Sequence, residues 1–230
     1  MHEAIVTALF NNAATLLVLS IILDITNQFF QENQRVKLMI RGVLISLICY
    51  AIMRMPFVIQ TGIVFDTRSI LISVTGLVFG VIPTAITVLT AAIVRISMGG
   101  SGTLPGIAVI LCSALIGLAW RQWVFPRVRK WQWLSILVMG LLVHIVMIGL
   151  MFLLPYPSNI TVVKAITEPV LIIYPIATVL LSLLLLKQQK YFHLQMQLQQ
   201  SEERFRTLFD KAPLGYQALD INGHFIEVNQ

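Results

Sequence analysis

The chain has 230 residues, of which 57% are hydrophobic and 11% charged, and a formal net charge of +6. That composition excludes an ordinary soluble domain and points to an integral membrane protein, with the lipid bilayer as its first partner. The positive charge does not indicate nucleic acid, because much of it sits in short loops beside apolar segments, where Lys and Arg set membrane orientation.

Met1-His2-Glu3 carries no basic region and no small-residue cleavage site follows, so the first apolar run reads as a retained helix. Residues 4–25 are long enough to cross ~30 Å of hydrocarbon. Residues 27–37 read as a polar loop with Arg35 and Lys37, and residues 38–53 as a second span closed by Arg54-Met55-Pro56. Residues 57–65, FVIQTGIVF, are β-branched and aromatic and too short to span as a helix. They read as an extended segment over a site.

Residues 69–96 pose the main question of topology. One helix of that length would measure about 42 Å, long for a bilayer. Two helices would break at Gly80-Val81-Ile82-Pro83, since proline in a helix interior removes a hydrogen bond and clashes with the preceding turn. Charge arbitrates. The loop 121–130 holds Arg121, Arg127, Arg129 and Lys130 and should be cytoplasmic. Residues 104–120 then enter from outside, and the Gly99-Gly100-Ser101-Gly102 loop is external. A hairpin over 69–96 also puts the Arg35, Lys37 and Arg41 region inside, with the N-terminus outside and about seven spans. Residues 131–154 form the sixth, anchored by Trp131 and Trp133. Residues 155–164 form an external turn, and residues 165–186 form the seventh span, with Pro169 and Pro175 as bend points.

Composition changes after Leu186. Tyr191, Leu194, Leu198, Ser201, Phe205 and Leu208 follow spacings of three and four. This heptad seam predicts a parallel helical pair and hence a homodimer; the alternative is an amphipathic helix packed on its own chain. Asp220-Ile221-Asn222-Gly223 between two short apolar runs reads as a hairpin turn.

Charges at membrane depth are expensive and suggest function. In the hairpin topology Asp66, Arg68, Arg95 and the loop Gly99, Gly100, Ser101 and Gly102 converge on the outer side. Arginine offers a planar fork for a carboxylate or phosphate. Two arginines against one carboxylate leave a positive charge that a small anion would neutralise. The loop N–H groups would add donors, and helix starts at Ser69 and near Leu104 would add partial positive charge. Cys112 and Ser113, on the following helix, are further ligand-facing candidates. The plainer alternative is that Asp66 caps its helix and pairs with Arg68 while Arg95 snorkels to the interface. His144 lies mid-span, where a ligand or pH contact competes with the commoner bond to a neighbouring helix. Glu168 either lines the site or caps a helix. Ser73, Thr75, Thr84, Thr87 and Thr90 are expected to bond local backbone. Cys49 and Cys112 lack metal-ligand spacing and read as reduced thiols. No metal, cofactor or catalytic residue is expected, there being no serine–histidine pairing, metal cluster or carboxylate dyad in register.

Two resemblances follow from quoted motifs. The run SEERFRTLFDKAPLG, the DING turn and HFIEVN resemble the opening of a PAS domain, here truncated. Phe65-Asp66-x-Arg68, Gly76-Leu77-x-Phe79-Gly80-x-x-Pro83, Arg95-x-x-x-Gly99-Gly100 and Gly102-x-x-x-Gly106 resemble the LytS/YhcK-type five-transmembrane receptor family over about residues 38–154. The family usually sets the proline directly after the glycine, whereas Val81 and Ile82 intervene here. The resemblance implies an input domain of a bacterial sensor histidine kinase or diguanylate cyclase, in a family associated with small carboxylates or murein turnover. The chain also looks similar to substrate-binding subunits of vitamin-uptake transporters.

The combined expectation is an all-α polytopic membrane protein with a broken glycine-rich hairpin, a cytoplasmic signalling helix and the start of an α+β PAS domain. Residues 1–186 would be the sensor, 187–208 the signalling helix and 209–230 the PAS start. The protein would sit in the bacterial inner membrane with its C-terminus in the cytoplasm. It would bind a small ligand, with a small carboxylate favoured, and relay the signal through Pro169, Pro175, Leu194, Leu198 and Phe205. The rival is a substrate-capture subunit of a transporter, or a permease, which would have little need of a signal-reading module.

Overall fold

The computed structural model describes residues 18, 19, 21, 22, 25, 26, 33–55, 57–60, 63–128, 130–210, 217–219, 221, 222 and 224–228. The expected first span falls mostly outside them; its described residues are helical. Two compact units divide the chain, Met1–Lys187 and Gln188–Gln230.

In the first unit, α1 (Gln34–Arg54) begins earlier than expected. The Asn33 side chain accepts from the amides of Arg35 and Val36, satisfying donors that a helix start leaves open. Arg35 and Lys37 are therefore helical and not in a loop. Residues 57–65 are extended in two short antiparallel strands, β1 (Phe57–Gln60) and β2 (Ile63–Phe65), with Phe57 opposite Phe65.

The chain then enters α2 (Arg68–Phe79) and α3 (Val81–Met98), separated by Gly80 alone. Gly80 has φ +83° and ψ −161°, a conformation open essentially to glycine. Pro83 is the third residue of α3, where its missing N–H is one of those with no intrahelical partner anyway. Val81 and Ile82 between glycine and proline thus leave a sharp break intact. At 1.5 Å per residue α2 is only about 18 Å long, short of a bilayer crossing. All twelve of its residues are buried.

The following helices are α4 (Thr103–Ala119), α5 (Gln132–Leu150) and α6 (Ser158–Asp210). A π-helical turn at Trp120–Val124 and a 3-10 turn at Phe125–Arg127 extend α4. The turn expected over residues 155–164 is shorter, because the Pro155 and Pro157 carbonyls accept from the Asn159 and Thr161 amides and start α6 at Ser158. Arg121 donates through Nη1 to the carbonyls of Leu77 (2.8 Å) and Val78 (2.7 Å). It thereby satisfies acceptors that the end of α2 leaves open. The Gly80 end of α2 lies beside the end of α4, while the Arg68 end lies beside its start.

The core is mostly apolar but also encloses many polar side chains, while large apolar side chains face outward. Ser69, Ser73, Thr75, Thr84, Thr87, His144 and Thr178 are inside, while Leu47, Leu89, Ile93, Leu115, Ile145, Ile176 and Leu180 face outward. Ser73, Thr75, Thr84, Thr87 and Thr90 each donate to a carbonyl three or four residues back, as expected. Among the described residues five helices are long and apolar enough to cross a membrane, and α2 is not one of them. The first unit is a helical membrane domain built around that short helix.

In the second unit α6 runs to Asp210, and β3 (Gln217–Leu219) pairs antiparallel with β4 (Phe225–Val228). Tyr191, Leu194, Leu198, Phe205 and Leu208 are exposed along the helix.

Among the described glycines Gly117 has the least room: a Cβ there would press into the Ser73 carbonyl oxygen of α2. Gly117→Ala should therefore force backbone movement and cost about 1–3 kcal/mol of stability. Gly149→Ala, whose Cβ would meet nothing within 4 Å, should leave stability unchanged or slightly raised. Thermal unfolding of both variants in the same detergent checks this; equal melting temperatures would contradict the packing.

Candidate ligand site

The break at Gly80 brings the start of α2, the end of α3 and the start of α4 together. Asp66 precedes α2 and turns back on it. Its Oδ1 accepts from the Arg68 amide at 3.0 Å, and its Oδ2 lies 3.2 Å from Arg68 Nη1. Both side chains are buried. Asp66 thus pairs with Arg68 and also satisfies the first amide of α2, from the position before the N-cap residue Thr67. Neither Oδ2 nor Nη1 makes a well-formed hydrogen bond, and the same holds for the neighbouring Thr67 hydroxyl, also buried.

Arg95 comes from the last turn of α3 and is 2% exposed, so it does not snorkel to a surface. Its Nε donates to the Gly102 carbonyl at 3.2 Å. The side chain then lies across α4 where Gly106 has no side chain; a Cβ there would be 2.6 Å from Arg95 Nε. The spacing Gly102-x-x-x-Gly106 has this physical meaning: one residue supplies the acceptor and the other supplies room.

Asp66, Arg68, Ser69, Arg95, Gly102 and Gly106 line a cavity of about 30 Å³, closed on its apolar side by Pro105, Val109, Met147, Met151 and Leu154. At roughly 10–15 Å³ of such space per enclosed water this holds about two waters, so an organic carboxylate of several carbons requires the cavity to widen. Of the expected site residues, Asp66, Arg68, Arg95 and Gly102 are brought together. Gly99, Gly100 and Ser101 form the turn before α4 without lining the cavity; Gly99 and Gly100 have φ +63° and +83°, and Ser101 is exposed. Cys112 is half-buried and Ser113 buried, two turns or more into α4, and neither lines it.

The chain belongs to the 5TMR-LYT family. The family described as 5TMR of 5TMR-LYT matches residues 23–188, nearly the whole first unit and more than the stretch 38–154 that carried the resemblance. No curated protein and no solved structure matches the chain. Membership, with the apolar outward surface, makes the first unit a membrane sensory input domain of a signalling protein.

A polar chain through the 5TMR-LYT domain was not anticipated as part of the site. His144 on α5 is fully buried; its Nδ1 lies 2.6 Å from the Gly140 carbonyl, so that nitrogen carries a proton, and Nε2 faces the Ser69 hydroxyl at 3.3 Å. Bonding to a neighbouring helix was the commoner expectation for this histidine, and it holds. Tyr174 on α6 packs edge-on against His144 and donates to the Asp66 carbonyl at 3.3 Å. Its position in an apolar run beside Pro175 is the one signal the sequence offered. Glu168 is exposed and does not line the cavity. Pro169 is half-buried and Pro175 buried, both inside α6.

Removing Arg68 alone leaves Asp66 as a buried charge. Arg68→Ala should therefore cost about 3–5 kcal/mol, while Arg68→Ala with Asp66→Ala should cost clearly less than the sum of the single changes. Thermal unfolding of the four proteins reads the coupling; additive losses would show that the pair does not act as a unit.

Proposed function

We propose that this 5TMR-LYT domain binds a small anion, a carboxylate by preference, between α2, α3 and α4 and passes its occupancy along α6 to a cytoplasmic effector. The observation that carries the reading is the convergence of Arg68 and Arg95 on one cavity whose lining, among the described residues, includes one carboxylate, Asp66. Ionised side chains facing a cavity inside an apolar bundle mark ligand and ion sites, and a planar carboxylate matches the guanidinium fork. Because the cavity is small, the anion binds to a widened form, and that difference between forms is what makes a signal possible.

The rest of the route follows from the same reading. The C-terminal hairpin, Gln217 opposite Val228, supports residues 209–230 as the beginning of a PAS domain. The effector beyond it is a histidine kinase or a diguanylate cyclase. The exposed seam Leu194, Leu198 and Phe205 joins a second copy, which makes the receptor a homodimer. Pro169 and Pro175 give α6 its bend points. The basic residues beside Arg121 and Arg127 orient the domain in the bacterial inner membrane with the C-terminus in the cytoplasm and the Ser101 turn outside.

Purified protein should be stabilised against heat by at least one member of a panel of small carboxylates and phosphates, with the shift lost in Arg68→Ala and in Arg95→Ala. A panel that leaves folded wild-type protein unmoved would overturn the anion reading. Independently, Ser101→Cys in intact cells should react with an impermeant thiol reagent; labelling only after lysis would reverse the orientation.

A further inference from the structure

Asp66 is held from two sides. Its carboxylate engages Arg68 and the start of α2, while its carbonyl accepts from Tyr174, 108 residues further along the chain on α6. At 3.3 Å this O–H···O contact is long against the usual 2.7–2.8 Å, hence weak and easily exchanged. Tyr174 directly precedes Pro175, where α6 lacks a backbone N–H and so one rung of its ladder. A second tie runs parallel to the first: Ser69, which also lines the cavity, faces His144, whose ring meets the edge of Tyr174 with centroids 5.0 Å apart. At the α5–α6 crossing, Gly140, which accepts from His144, lies against Pro175 and Thr178. Both ties therefore end beside Pro175, one of the two prolines at which α6 lacks a rung of its ladder.

On the cavity side, Asp66 Oδ2 and Arg68 Nη1 are buried within 3.2 Å of each other without a well-formed hydrogen bond, and the Thr67 hydroxyl has none. Asp66 occupies Arg68 as an incoming carboxylate would, but imperfectly.

Resting on the anion reading above, we infer that Asp66 is an internal surrogate of the ligand and that Tyr174 is the positioning residue through which α6 senses its displacement. An anion that takes Arg68 releases the Asp66 carboxylate, the segment before α2 shifts, and the Tyr174 hydroxyl loses its acceptor. The link is reciprocal: whatever weakens the Tyr174–Asp66 bond favours the anion-bound form.

Tyr174→Phe keeps the ring against His144 and deletes only the hydroxyl. Two measurements on the full chain in lipid nanodiscs test it. Without any anion, hydrogen–deuterium exchange should rise together at residues 64–70 and 170–178. A rise at residues 170–178 alone, or at neither, would overturn the coupling. With acetate, lactate, succinate and citrate as probes, the half-saturating concentration of whichever stabilises wild-type protein should fall about fivefold in Tyr174→Phe, the scale of one net hydrogen bond. Unchanged or weaker binding would also overturn it, because a merely structural tyrosine would not tighten a ligand. If none of the four binds wild-type protein, the carboxylate reading fails, and the coupling stands or falls on the exchange data alone.

Discussion

An arginine inside an apolar helical bundle must be supplied with acceptors, and the first unit is arranged to supply them. Arg68 is met by Asp66, which is fixed by capping the helix that Arg68 begins. Arg95 is met by the Gly102 carbonyl and fits only because Gly106 has no side chain. Arg121 does the same work at the opposite end, where it takes the carbonyls of Leu77 and Val78. The short α2 is held at both ends by these charges. Its length follows from Gly80, since a residue with a Cβ would be strained at φ +83°. Without that break the two arginines of the cavity would be drawn apart along one long helix.

Much of this was legible in the sequence because it is carried by residues with narrow physical meaning. Gly80 and Pro83 announced a break, and Asp66 and Arg68 a charged helix start; Gly102 and Gly106 stood only in a family motif. The inward serines and threonines behaved as local backbone partners. What was not legible depends on tertiary distance. Nothing in the run around Tyr174 says that its hydroxyl reaches Asp66, and nothing around Met147, Met151 and Leu154 says that they close a cavity. Gly99, Gly100 and Ser101 read as ligand donors because glycine-rich loops often are; in the structure they form the turn before α4, with positive φ at Gly99 and Gly100. Cys112 and Ser113 were placed near the site by sequence proximity, but α4 carries them away from its first turn.

The cavity gives the sensory reading its physical content. A receptor that signals must bind its ligand differently in two forms. On the proposed reading the narrow space of about 30 Å³ lined by Arg68, Arg95 and Asp66 is one such form. Asp66 belongs at once to the cavity and, through Tyr174, to α6, so on the proposed reading widening the cavity would also move α6. At the centre of the 5TMR-LYT domain is a small buried ion cluster whose acidic member touches α6 through Tyr174.

The most direct test of the central claim is where a bound carboxylate sits. Solid-state NMR of the protein in bilayers, with a 13C-carboxylate ligand from the stabilising set and 15N-labelled arginine, reads the distance from the ligand carbon to each guanidinium. The account predicts dipolar contact with two arginines, one signal disappearing in Arg68→Lys and the other in Arg95→Lys. A bound carboxylate in contact with neither residue would place the ligand elsewhere and reduce the buried arginines to elements of packing.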